Sequence, residues 1–119
     1  MAENYITKQT EKGSINISQD VIAAMINAVV AEIEGVTGFG TPTTPELIEL
    51  FGKKSAIKGM KLRSEDGKIV ADLLITVKLG GNITELAAQV QDATCRELEA
   101  ITGMGAVVNV HITGVSLDK

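Results

Sequence analysis

Few residues in this chain are of types that do chemistry: one histidine, one cysteine and several paired carboxylates. General-base catalysis would need His111 beside an acid that orients it. Its place in the apolar alternation of the last strand-like segment puts it on a face away from any clustered acids. That is the setting of a surface or hydrogen-bonded histidine. A metal site would need further ligands at sensible spacing around Cys95 and His111, and none occur. Cys95 falls mid-helix beside an inner apolar stripe, where it reads as a small packing residue with nothing nearby to activate its thiol. No catalytic residue, metal or cofactor is expected, and the chain reads as a non-enzyme.

Three other features could carry binding. Glu32/Glu34 and Glu97/Glu99 are acids near helix C-termini, where the dipole disfavours them. They are either a surface feature of a duplicated unit or an acidic binding edge. Gly35-Val36-Thr37-Gly38 spells the G-x-x-G of KH domains, so a KH-like RNA-binding protein is the rival reading. That loop usually carries basic residues, whereas this one follows two glutamates and reads better as a helix-ending turn. Lys53, Lys54, Lys58, Lys61, Arg63 and Lys68 form a basic stretch in a chain of net charge −4. It is either a solvated loop and hairpin or a patch for an acidic partner or an anionic membrane surface. Tyr5, Phe39 and Phe51 are the aromatic residues, too few for a surface that stacks bases. No nucleic-acid partner is expected.

The elements that position these residues follow from periodicity. Residues 1–12 are polar without a clear period and read as a flexible N-terminal tail. Residues 13–119 read as a single α+β domain. Ile15 and Ile17 alternate in a short strand, and Ser18 caps a helix with Ile22, Met25 or Ile26, Val29 and Ile33 at helical spacing. Gly35 stops it. Thr44-Pro45-Glu46 opens a short inserted helix. Met60–Arg63 and Lys68–Leu79 form a hairpin about Asp66-Gly67. Thr84 is the expected cap of the second long helix, which Gly103 ends, and Val107–Val115 is the last strand. Glu32–Gly40 returns as Glu97–Gly105, identical at both glutamates, the threonine and the last two glycines. Two similar helices lying side by side on one sheet are therefore expected. The predicted architecture is a two-layer sandwich: a mixed β-sheet with two long helices on one face and a short inserted helix.

In the long strand, Ile69, Ala71, Leu73, Ile75, Val77 and Leu79 share one face, and Val70, Asp72, Leu74, Thr76 and Lys78 the other. The apolar face is the core side, so Leu73→Asp should unfold the domain. The mixed face reads as open to solvent. Val70 and Leu74 on it, joined by Val107 if the strands are neighbours, are the candidate partner surface. Lys58, Lys61 and Arg63 are the next candidate. One cysteine rules out an internal disulfide, and no apolar stretch reaches the roughly 20 residues that span a bilayer. The chain reads as cytoplasmic, with membrane association through a partner or a surface.

Three segments in this order carry a resemblance: Gly13 to Ile22, Glu34 to Gly38, and Val108 to Val115. Gly59-Met60-Lys61-Leu62 and Asn82-Ile83-Thr84-Glu85-Leu86 agree with it. The chain resembles the alkaline shock protein family of Gram-positive bacteria, a cell-envelope stress-response family, over roughly Gly13 to Leu117. The resemblance implies a small non-enzymatic protein-interaction module in envelope stress response or membrane-lipid homeostasis, oligomeric or partnered. It implies a peripheral position at the inner membrane face through a membrane-embedded anchor. One branch of the family is often encoded beside acetyl-CoA carboxylase and is linked to control of fatty-acid synthesis. Leu50-Phe51-Gly52-Lys53 resembles that branch, which makes carboxylase subunits the alternative partners.

Overall fold

The computed structural model describes residues 5–51 and 59–116. Its elements in chain order are β1 (Tyr5–Thr10), β2 (Gly13–Ser18), α1 (Gln19–Ala31), β3 (Val36–Phe39), α2 (Pro45–Phe51), β4 (Met60–Glu65), β5 (Lys68–Lys78), α3 (Ile83–Thr102) and β6 (Gly105–Ser116). β1 and β2 form a two-stranded sheet, and β3 to β6 form a four-stranded mixed sheet. This is the α+β arrangement expected from the sequence.

β5 is the centre of the larger sheet. Along one edge it pairs in parallel with β6. Along the other it pairs antiparallel with β4 through residues 68–73 and with β3 through residues 75–77. Asp66 and Gly67 both have positive φ in the β4–β5 turn, as a type I′ hairpin requires. Ile69, Ala71, Leu73, Ile75 and Val77 are fully buried on one face. α1 and α3 lie side by side on that face, contributing Ile22, Ala23, Ile26 and Val30, and Val90 and Leu98, to one cluster. Each large aliphatic there contributes about 1.5–3 kcal/mol by leaving water.

The helix ends follow local chemistry. Ser18 Oγ accepts from Asp20 N at 3.1 Å, as expected. The cap of α3 precedes the expected one: it is Asn82, whose Oδ1 accepts from Glu85 N at 3.0 Å. The short Asn side chain reaches the third helical amide, and Thr84 is already inside the first turn. The duplicated segment does not fold twice alike. α1 ends at Ala31 and passes through Gly35, at φ +101°, into β3. In α3 the aligned residue is Ala100, and the helix runs on to Gly103, left-handed at φ +71°. The two units then supply two of the three strands paired with β5, β3 antiparallel and β6 parallel.

Two expectations are corrected. The flexible tail over residues 1–12 is ordered from Tyr5 onward: β1 pairs with β2, with Ile6 opposite Ile17 and Thr7 opposite Asn16. Ile6 is buried in the main cluster, and Thr7 Oγ1 donates to Asn16 Oδ1 at 2.7 Å. Most of the hairpin faces solvent, so β1 carries polar residues on both faces and shows no clear period of two. The second correction concerns the mixed face of β5. Leu74 is 0% exposed, Asp72 3% and Val70 7%, so this face is covered, not open. A one-sided alternation in β5 shows only which residues share a face; what covers that face comes from elsewhere in the chain.

Candidate functional site

The covered face centres on Asp72. Register places Lys61 and Asn109 on either side of it, and Arg63 and Val107 on either side of Val70. Arg63 Nη1 donates to Asp72 Oδ2 at 3.0 Å, and Asn109 Nδ2 donates to Oδ1 at 3.0 Å. His111 Nε2 lies 3.4 Å from Oδ1 and donates to it in the tautomer that protonates Nε2. The expectation that His111 stands apart from acids is therefore corrected. A buried carboxylate must be paired and hydrogen-bonded, and β4 and β6 supply the partners from both sides. Arg63 also donates from Nε to Glu65 at 2.8 Å. The Glu65 hydrogen bond, with Asp72 helping and partial burial opposing, holds the guanidinium more firmly protonated than when free.

α2 lies over this face. Thr44 Oγ1 accepts from Leu47 N at 3.2 Å and caps the helix as expected. Phe51, at its end, is fully buried and meets the ring of His111 edge-on, with centroids 6.4 Å apart at 79°. His111 is the register partner of Leu74. Lys61 Nζ donates to the Leu50 carbonyl, placing a cation at the negative end of the helix. Of the sequence-predicted partner residues, the structure thus brings together Val70, Leu74, Lys61 and Arg63. It buries the first two, and engages Lys61 and Arg63 within the chain. Lys58 lies outside the described residues. Asp72, Asn109 and His111 were not among those candidates. The signal for them was present: an Asp in an otherwise apolar strand, and Asn109 and His111 alternating on the same face of the neighbouring strand.

The other motifs resolve as turns and packing. The Gly35 carbonyl accepts from Lys78 N at 2.8 Å, and the Gly38 carbonyl from Thr76 Oγ1 at 3.2 Å. The G-x-x-G turn is tied into the sheet through these carbonyls. Cys95 Sγ donates to the Ala106 carbonyl at 3.3 Å, and Gln91 Nε2 to the Val108 carbonyl at 2.8 Å. These two α3 side chains cover part of the outer edge of β6. Burial first, and then the Glu99 carboxylate, push the Cys95 thiol pKa up, so it stays a neutral donor. Among the described residues no group of three or more His, Cys, Asp or Glu could hold a metal ion.

Near the C-terminal ends of β5 and β6 the chain exposes apolar side chains. Leu79 is 66% exposed, Val115 44% and Ile83 37%. Leu79 N bonds to the Ser116 carbonyl at 2.9 Å, and Ile83 opens α3 after Gly80-Gly81-Asn82. Beside them is a cleft of about 460 Å³, with Leu79, Leu86, Lys78, Glu34 and Glu85 in its lining. Glu34, one of the paired acids, sits on its rim.

Residues 7–117 match the alkaline shock protein 23 family, described as having a cell envelope-related function, and the chain belongs to that family. The resemblance read from the sequence is borne out. The uncharacterized protein YqhY of Bacillus subtilis is 28% identical over 123 residues, covering 99% of this chain and 91% of that protein. Spy1614 of Streptococcus pyogenes serotype M6 is 29% identical over 111 residues, covering 91% and 92%. YloU of Bacillus subtilis is 28% identical over 113 residues, covering 92% and 94%. These relatives carry no named activity. A solved structure of a MamM CTD variant superposes with a TM-score of 0.55 at 17% identity, covering 81% of this chain and 96% of that one. At that identity the likeness is one of fold. No helix among the described residues is long and apolar enough to cross a membrane.

Proposed function

We propose that the chain is a non-enzymatic interaction module of the cell envelope, held at the inner membrane face by a protein partner. The observation that carries this reading is the group of exposed aliphatics Leu79, Ile83 and Val115 beside an acid-rimmed cleft. Single exposed aliphatics are ordinary, but exposed apolar side chains at a charge-rimmed cleft are a feature of protein interfaces. The family's envelope-related function supports the setting. The partner classes are a membrane-embedded anchor, carboxylase subunits, or a second copy of the chain.

The test places a photo-cross-linking amino acid at position 79 in native cells and follows the protein by membrane fractionation. A cross-link to a membrane-embedded protein, with membrane association lost in Leu79→Glu, is the expected result. Leu79 is solvent-exposed, so this variant should fold as wild type does. A cross-link to carboxylase subunits would move the reading to the lipid-synthesis branch. If Leu79→Glu fractionates as wild type does and position 79 cross-links to nothing, the sheet end is not the interface. Sedimentation of the purified chain separates self-association from both.

A further inference from the structure

We infer that the outer edge of β6 is a strand-pairing site for a second copy of the chain. Two β6 strands join antiparallel about a two-fold axis at His111, with Val110 and Ile112 of each copy supplying the hydrogen bonds. This surface is distinct from the exposed aliphatics at the sheet end and does not rest on the reading given for them.

β6 pairs with β5 along one side, and no other described strand lies against it. In a strand the N–H and C=O of one residue point to the same side, and the side alternates from residue to residue. The Ala106 and Val108 carbonyls point outward, since they accept from Cys95 Sγ at 3.3 Å and Gln91 Nε2 at 2.8 Å. Val110 and Ile112 continue the alternation, and among the described residues nothing bonds to their outward groups. α3 shows why the cover stops there. Cys95 and Gln91 stand one helical turn apart and reach residues two apart on β6. The next turn brings Ala87, which has no polar group to continue the series. Beyond Ile112 a register shift in the pairing with β5 ends the run.

Sheet edges are ordinarily blunted by charge, proline or a covering side chain. β4, on the opposite edge, carries Lys61 and Arg63, and Gln19 Nε2 donates to its Leu62 carbonyl at 3.0 Å. β6 holds no Asp, Glu, Lys, Arg or Pro. In a chain of net charge −4, an uncharged strand is where two copies meet without like charges opposing each other.

The open run is also self-complementary. Antiparallel pairing centred on His111 sets Val110 opposite Ile112 of the second copy, and Ile112 opposite its Val110. Each of these pairs exchanges two hydrogen bonds, about four in all. Every donor meets an acceptor because the same residues supply both sides, as an isologous interface requires. His111, on the axis, turns to its own Asp72. Ala87 is half-buried and Ala88 exposed on α3, and these small side chains leave room for α3 of the second copy alongside.

The test is sedimentation velocity of the purified full chain over a concentration series, with Ala87→Gln and Leu79→Glu beside wild type. Wild type should pass from monomer to dimer as concentration rises. Ala87→Gln places an amide one turn before Gln91, where it can hold the Val110 carbonyl as Gln91 holds that of Val108. It should dimerise about tenfold more weakly, since an acceptor is lost on each side of the axis. Leu79→Glu should dimerise as wild type does. A wild type that stays monomeric, or an Ala87→Gln dimer as tight as wild type, overturns the inference. Dimerisation lost in Leu79→Glu and kept in Ala87→Gln overturns it too, and moves self-association to the sheet end. Should Ala87→Gln fail to fold, hydrogen exchange on wild type decides. The Val110 and Ile112 amides should exchange more slowly as concentration rises, and exchange that is independent of concentration overturns the inference.

Discussion

Replacing Leu74 by alanine distinguishes a sheet covered on one face from a sheet covered on both. Leu74 is fully buried, as is Leu73 on the opposite face. Leu73 belongs to the main cluster between the sheet and the two long helices. Its surroundings are regular elements packed from several directions, so the hole left by Leu73→Ala cannot close. The cost should be near the top of the Leu→Ala range, about 4–5 kcal/mol. Leu74 lies on the face that α2 meets through Phe51 and His111, and a short helix can settle toward the missing methyls. Leu74→Ala should cost less, about 2–3 kcal/mol. Both are large against the roughly 5–15 kcal/mol that stabilises a domain. The assay is urea unfolding followed by far-UV circular dichroism, comparing midpoints at unchanged slope. A Leu74→Ala chain within about 0.5 kcal/mol of wild type, the usual range for an exposed position, would refute the covered face. It would restore the open face that the β5 alternation alone suggests. Leu74→Glu, harmless on an open face, should instead unfold the domain, because it adds a second carboxylate beside the buried Asp72.

The remaining predictions concern the thiol and the duplicated turn. The folded protein binds the Cys95 proton more tightly than the unfolded chain does, since burial and then Glu99 raise its pKa. Stability from this group is therefore full below the ordinary thiol range and is lost as pH rises through the raised value. Iodoacetamide should label native Cys95 more slowly than a free thiol at neutral pH, with the rate rising only in more alkaline buffer; labelling as fast as in urea would refute this. At the duplicated turn, Gly35→Ala should cost about 1–2 kcal/mol, because Gly35 has φ +101° and an added Cβ would lie 3.0 Å from Leu86 Cδ2. Ala100→Gly, at the aligned position within α3, should also destabilise, by about 1 kcal/mol. Thermal melts of the two variants check the pair, and an unchanged melting temperature in either would show that the helix ends are not fixed by these residues.

What the sequence discloses here is what neighbouring residues settle among themselves. Ile69 to Val77 alternate because a strand has two faces, and Asp66-Gly67 turns because both positions adopt positive φ. Thr44 and Ser18 cap because their hydroxyls reach amides two or three residues on. These features were legible, and so was the pair of helices on one face. β1 was not, because a polar hairpin owes its form to pairing across a turn and to one anchoring residue, Ile6. The candidate site was only half legible. Val70, Leu74, Lys61 and Arg63 were placed on a shared face, but that face was given to solvent. The deciding fact is where the insertion returns. Gly40 and Gly59 both bond to Leu74, the residue at which the edge of β5 passes from β4 to β3. Neither strand pairs there, so the chain leaves the sheet after Gly40 and re-enters it at Gly59, and α2 brings Phe51 against His111 on the face that Leu74 shares. The gap in pairing, the burial of Leu74 and the seating of Phe51 beside His111 thus have one cause. That cause connects residues far apart in the chain, beyond the reach of any local period.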